Sequence, residues 1–194
     1  MKTLKIVVAL LLLTVTFTNA QSSWVFDASH SNVSFSVTHL VISEVEGNFK
    51  SFEGTVTSTK EDFAGSSVEF SVDINSIDTD NADRDNHLKA DDFFNAEKFP
   101  KMTFKSKSLT KLNGKKYKLV GDLTIRDITK EVELDLKYNG TVKDPWGNTK
   151  AGFKISGTIN RFDFGLKFNK LMEAGGMVVG DDVEISINAE LKKL

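Results

Sequence analysis

From residue 129 to 139 the chain alternates strictly between polar and apolar side chains. Val132, Leu134, Leu136 and Tyr138 fall on one phase, Glu131, Glu133, Asp135 and Lys137 on the other. Side chains of a strand point alternately to opposite faces, so this spacing predicts a strand with one dry and one wet face. The same pattern recurs in Val33, Phe35 and Val37 after a short lead-in at 24–27, and in Val68, Phe70, Val72 and Ile74. It returns in Met102 and Phe104, in Tyr117, Leu119, Leu123 and Ile125, and in Ala151, Phe153, Ile155 and Ile159. Val183, Ile185, Ile187, Ala189 and Leu191 close the series. Residues 49–59 read as a further strand whose phase breaks at Lys50-Ser51, where a bulge restores Phe52, Gly54 and Val56.

Two stretches lack the period. Residues 79–99 are rich in Asp and Asn, carry Leu88, Phe93 and Phe94, and stop at Pro100. They are expected to form one or two short helices packed on or across the sheet. Residues 167–180 hold Leu171, Met172, Met177 and the pair Gly175-Gly176. Asp144-Pro145-Trp146-Gly147-Asn148 is a turn. Roughly eight strands at hairpin spacing predict an all-β protein with short helices, built as an up-and-down antiparallel barrel enclosing its apolar face.

The N-terminus changes where the domain begins. Lys2 and Lys5 precede an unbroken apolar run at 6–13, and Thr18 and Ala20 set small residues before Gln21. This is the pattern of a cleavable signal peptide over 1–20, so the protein is expected to be periplasmic or secreted. The remaining 21–194, about 174 residues, fit a single domain. There is no Cys, so neither a disulfide nor a thiolate metal site is available. Loss of Lys2 and Lys5 takes the formal charge from −2 to about −4, which disfavours nucleic acid as a partner.

Candidate chemistry is sparse. A calcium loop starting at Asp78 would need Gly at its sixth position and Glu at its twelfth, but these are Asp83 and Lys89. His30, His39 and His87 have no metal-ligand spacing, and there is no G-x-S-x-G. The strand carboxylates fall on the outward phase. No catalytic residue, metal or cofactor is therefore expected. His39 shares the inward phase of Val33, Phe35 and Val37 and needs a polar partner or a ligand head group. The interior is the remaining place to look, with fifteen Phe in the chain and Gly54, Gly121 and Gly157 on the inward phase. A barrel of this size is either filled by side chains or holds one small ligand, and periodicity leaves both open.

The order and spacing of several motifs resemble the YceI-like family of secreted bacterial proteins. They are Asp27-Ala28-Ser29-His30-Ser31, Val33-Ser34-Phe35-Ser36-Val37-Thr38-His39, Ile77-Asp78-Thr79 and Arg84-Asp85-Asn86-His87-Leu88. Asp92-Phe93-Phe94, Lys98-Phe99-Pro100-Lys101-Met102-Thr103-Phe104, Gly121-Asp122-Leu123-Thr124-Ile125, Thr129-Lys130 and Arg161-Phe162-Asp163-Phe164-Gly165 follow. Asp127 departs from the family's usual Gly and touches only a turn. The resemblance implies an extended, lipocalin-like eight-stranded barrel whose lumen binds a long apolar lipid: a polyisoprenoid, an isoprenoid quinone or a fatty-acid derivative. The lumen residues expected to bind it are Phe35, Val37, His39, Phe70, Val72, Phe104, Leu134, Leu136, Phe153 and Ile155, with Leu171, Met172 and Met177 at a moving entrance over 167–180. Arg161 and Asp163 are expected to pair at the barrel mouth. Transport or storage is the expected role. The alternatives are an enzyme acting on a similar lipid and a filled, stress-related scaffold. Transient contact with a membrane surface and a homodimer are both left open.

Overall fold

The structure is a computed structural model that describes residues 21–171 and 177–194; the expected signal peptide and Met172 lie outside them. Among the described residues, eleven strand segments and one α-helix follow one another. They are β1 (Ser22–Phe26), β2 (Asn32–His39), β3 (Ser43–Phe49), β4 (Phe52–Ser58), β5 (Ser67–Asp73), β6 (Ile77–Asp78), α1 (Ala82–Leu88), β7 (Lys101–Asn113), β8 (Lys116–Ile125), β9 (Ile128–Lys143), β10 (Thr149–Asn160) and β11 (Val179–Lys193).

Eleven segments make only eight staves. β1 and β2 both lie against β11, Phe26 opposite Leu191 and Val33 opposite Ile187, so together they form one stave broken at 27–31. β3 and β4 form a second, broken at Lys50-Ser51 where the sequence phase slips, and β5 with β6 form a third. All the pairings are antiparallel, neighbours in the ring are neighbours in sequence, and β11 meeting β1 closes it. The closed barrel leaves no long exposed edge, and stability comes from its interior.

The breaks are held by polar staples. At 27–31 the Asp27 amide donates to the Glu190 carbonyl and the Glu190 amide to Ser31 Oγ. Lys150, only 12% exposed, bridges the Asp27 and Glu190 carboxylates. At the second break the Lys50 amide donates to Ser76 and the Asp73 amide to Ser51.

The helical expectation for 79–99 is met by α1 and a run of tight turns. Asn81 caps α1 by accepting from the Arg84 amide. Asp85 accepts from both the amide and the hydroxyl of Thr79, while Arg84 donates to the Thr79 hydroxyl and carbonyl. That network ties α1 to β6, and Leu88, Phe94 and Ala96 pack on Val33, Phe49 and Ile77 beneath it.

Candidate functional site

The inward phase of the staves encloses a cavity of about 200 Å³. Phe35, Val37, Phe70, Val72, Phe104, Leu134, Leu136, Phe153 and Ile155 all line it, brought together from β2, β5, β7, β9 and β10. Among the lining residues only Ser34, Thr103 and Arg161 are polar. Phe26, Phe35 and Phe70 line the cavity and are only partly buried, although Phe26 and Phe70 pack ring to ring at 4.7 Å and Phe35 packs on Phe49 at 5.6 Å.

Glycines set its width. Phe35 of β2 lies opposite Gly47 of β3, and a Cβ on Gly47 would stand 2.4 Å from the Phe35 ring. Phe70 lies in the same way over Gly54, its register partner, and Phe104 over Gly121. A methyl at Gly157 would meet only the tip of Leu134 at under 3 Å. Each bulky side chain therefore lies flat on the wall instead of projecting across the lumen. An aromatic ring covering a cross-strand glycine also shields the glycine's backbone, which recovers part of its weak strand propensity.

The two ends of the lumen differ. At the end where β1 begins and β11 ends, Phe63 turns in from the loop between β4 and β5 and is 1% exposed. It sits 5.0 Å from both Trp24 and Phe153, ring to ring, and the Tyr117 hydroxyl donates to the neighbouring Asp62 carbonyl at 2.7 Å. Burial pushes the Tyr117 pKa up.

The other end is closed by side chains of 88–94 and 159–168. Phe93 stacks on Phe168 at 5.1 Å, and His87 stands edge-on to both while its Nε2 lies 2.9 Å from Asp92. Arg126, in the turn between β8 and β9, donates to the carbonyls of Asp91, Phe93 and Gly165 and clamps these segments together.

Arg161 is the one ionisable side chain on the cavity wall and is 3% exposed. Its Nε donates to Gly180 at 2.7 Å, one terminal nitrogen to Leu166 and Phe168, and the other to Val179. Burial pushes its pKa down from the usual guanidinium value. The expected pairing with Asp163 is not formed: Asp163 is exposed, and backbone carbonyls satisfy the guanidinium instead. Carbonyl acceptors leave no trace in a sequence, which is why charge alone pointed to the wrong partner.

His39, Leu171 and Met177 do not line the cavity. His39 is the last residue of β2; its partner Val179 lines the cavity, but the His39 side chain is not part of the wall. Leu171 bridges Met177 in a small ribbon that stands off the barrel and leaves Leu171 69% exposed. Three lumen features had no clear signal in the pattern: the Gly47 slot, the Phe63 plug and the buried guanidinium. Outside the barrel, Asp27, His30 and Glu190 bring three possible metal-ligand atoms within 4.8 Å of one another. The Lys150 ammonium already sits among them and neutralises both carboxylates.

A model of the YceI-like domain matches residues 24–191. A UPF0312 protein of Staphylococcus aureus (strain N315) is 40% identical over 170 residues, 87% of this chain and 96% of that protein. Among solved structures, Burkholderia cenocepacia BcnA superposes with a TM-score of 0.74 at 23% identity, over 85% of this chain and 98% of that one. A polyisoprenoid binding domain from Saccharophagus degradans superposes with a TM-score of 0.65 at 15% identity, over 87% of this chain and 97% of that one.

Proposed function

The chain belongs to the YceI-like family, and from that premise we propose that its barrel is a binding protein for a long apolar lipid. The lipid is a polyisoprenoid, an isoprenoid quinone or a fatty-acid derivative, held in the lumen for transport or storage after export and cleavage behind Ala20. The observation that carries this reading is the lumen wall, which is apolar except for Ser34, Thr103 and Arg161. The Saccharophagus degradans domain of the same fold, a polyisoprenoid binding domain by name, supports the ligand class. Four of the five N–H groups of Arg161 are committed to carbonyls, so the lumen offers a guest an apolar solvent and little acid–base chemistry. This favours binding over catalysis.

Magnitudes agree with a lipid guest. Burial is worth about 0.8 kcal/mol per CH₂, so about a dozen carbons contribute on the order of 10 kcal/mol, comparable with the cost of association. The cavity of about 200 Å³ lies below the range of roughly 300–1,000 Å³ usual for ligand pockets. A long chain therefore enters by displacing lumen side chains or the 88–94 segment that closes one end. Mass spectrometry on the purified protein tests the reading directly. The intact mass reports cleavage before Gln21, and a solvent extract is expected to contain one isoprenoid or acyl class near one per protein. A lipid-free extract, together with delipidated protein that takes up no fluorescent polyprenyl probe, overturns it.

A further inference from the structure

We propose that the hairpin tip between β2 and β3, Leu40-Val41-Ile42, is a wedge that inserts into the surface of a lipid bilayer. Leu40 and Val41 have φ of 53° and 65°. Positive φ at two successive central residues is the combination of a I′-type hairpin turn, which strongly favours Asn-Gly and disfavours a β-branched residue. At two other strand hairpins of the barrel the positive φ falls on glycine: Gly114 after β7 at φ 51° and Gly147 after β9 at φ 89°. Arg126 also has φ of 58°, but its strain is repaid by its three carbonyl contacts.

Leu40 and Val41 have no comparable compensation. Val41 is 65% exposed and Ile42 86% exposed. The turn accepts backbone strain in order to present three consecutive apolar side chains to the outside. Strain of this kind persists where another function requires it. The tip is not isolated either. The Leu40 amide donates to Val178 and the Val178 amide to Lys170, so the exposed Leu171 lies on the same small ribbon.

A bilayer is the occupant that fits. A stable protein interface engages roughly 20–30 residues a side, whereas this tip offers four apolar side chains on a convex ribbon. Such a tip suits shallow insertion among lipid headgroups. Lys170, exposed and joined to the tip through Val178, offers a cation to anionic headgroups. The tip also stands over the lumen: Val37, on the same stave, and Val179, which pairs with His39 beneath the turn, both line the cavity. The inference rests on the lipid-binding reading for its purpose but is measured separately from it.

The test uses flotation of the delipidated mature protein with vesicles of phosphatidylcholine carrying a minority of phosphatidylglycerol. Leu40→Asn/Val41→Gly restores the residues the turn favours, and Trp146→Ser removes the exposed aromatic at the opposite end. The wild type and W146S are expected to float with the vesicles. The L40N/V41G variant is expected to lose about tenfold or more in partitioning while its unfolding midpoint rises. Uptake of a short-chain fluorescent isoprenoid without vesicles is expected to be equal in all three. Wild type that does not float, L40N/V41G that floats as well as wild type, or loss of flotation in W146S each overturns the wedge. Failure of probe uptake in all three with flotation intact overturns the lipid-binding reading and leaves the wedge standing.

Discussion

Adding one methyl at Gly47 tests whether the lumen is room for a guest. The Cβ of Gly47→Ala would stand 2.4 and 2.7 Å from the Phe35 ring and 2.8 Å from Thr79 Cγ2, and its three nearest neighbours are all side-chain atoms. The β2–β3 backbone can therefore stay in place while the ring gives way. The sheet blocks movement outward, so Phe35 swings off the wall into the cavity. Overpacking of this kind costs folding about 1–3 kcal/mol. The effect on binding is larger. A ring standing in the lumen excludes about five carbons of a guest, and at about 0.8 kcal/mol each that is about 4 kcal/mol, or roughly a thousandfold in affinity. Titration of delipidated protein with a fluorescent polyprenyl probe, paired with thermal unfolding, separates the two effects. Gly152→Ala is the matched control, because its methyl meets nothing nearer than Asn139 Cβ at 3.6 Å. If G47A binds the probe like the wild type while a crystal structure shows Phe35 in the lumen, guests do not use this space and the reasoning fails.

Two further outcomes test the frame around the lumen. Arg161→Met leaves the carbonyls of Leu166, Phe168, Val179 and Gly180 without their shared donor. It is expected to cost about 3–5 kcal/mol and lower the unfolding midpoint by roughly 10 °C. Arg161→Lys recovers little, since an ammonium cannot span acceptors on both sides, and a loss under about 1 kcal/mol in R161M would refute the clamp. Asp27 is held well below the usual carboxylate range, first by its hydrogen bond from Lys150 and then by Ser29. Its stabilisation is complete above its ordinary value of 3.8 and fades as pH falls below it. Asp27→Asn should therefore cost about 1–2 kcal/mol in urea unfolding at neutral pH, with the gap to wild type narrowing below pH ~4. A gap independent of pH would rule out the ionic staple.

Period two carried most of the barrel. β5, β9, β10 and β11 are continuous alternations, and one phase of them yielded the cavity wall. β3 was harder to see because its middle inward position, between Val45 and Phe49, is Gly47, where an apolar signal would be expected. Phe63 is a lone aromatic in a polar loop, and nothing local says that it turns inward. His39 shows the opposite error. Phase tells which way a side chain points, but at the last residue of a strand it does not by itself put that side chain on the cavity wall, even though the partner Val179 is there. Leu171 reads as adaptable lumen contact by composition, yet its bridge to Met177 carries it outside.

The Phe63 plug makes the lumen a blind tube. A tube open at both ends can take in cargo at one mouth and discharge it at the other, and a gradient can drive flow through it. With Phe63 locked among Trp24, Tyr138 and Phe153, a linear guest has one port for arrival and departure. Whichever end of the molecule enters last leaves first, and a chain cannot reverse inside. A polar terminus, if the guest has one, stays at the mouth, where donor and acceptor surfaces would both meet it. Were the barrel to carry such a guest between surfaces, the direction of transfer would be set by the relative affinities of the surfaces that the mouth visits, as with a vial rather than a pipe.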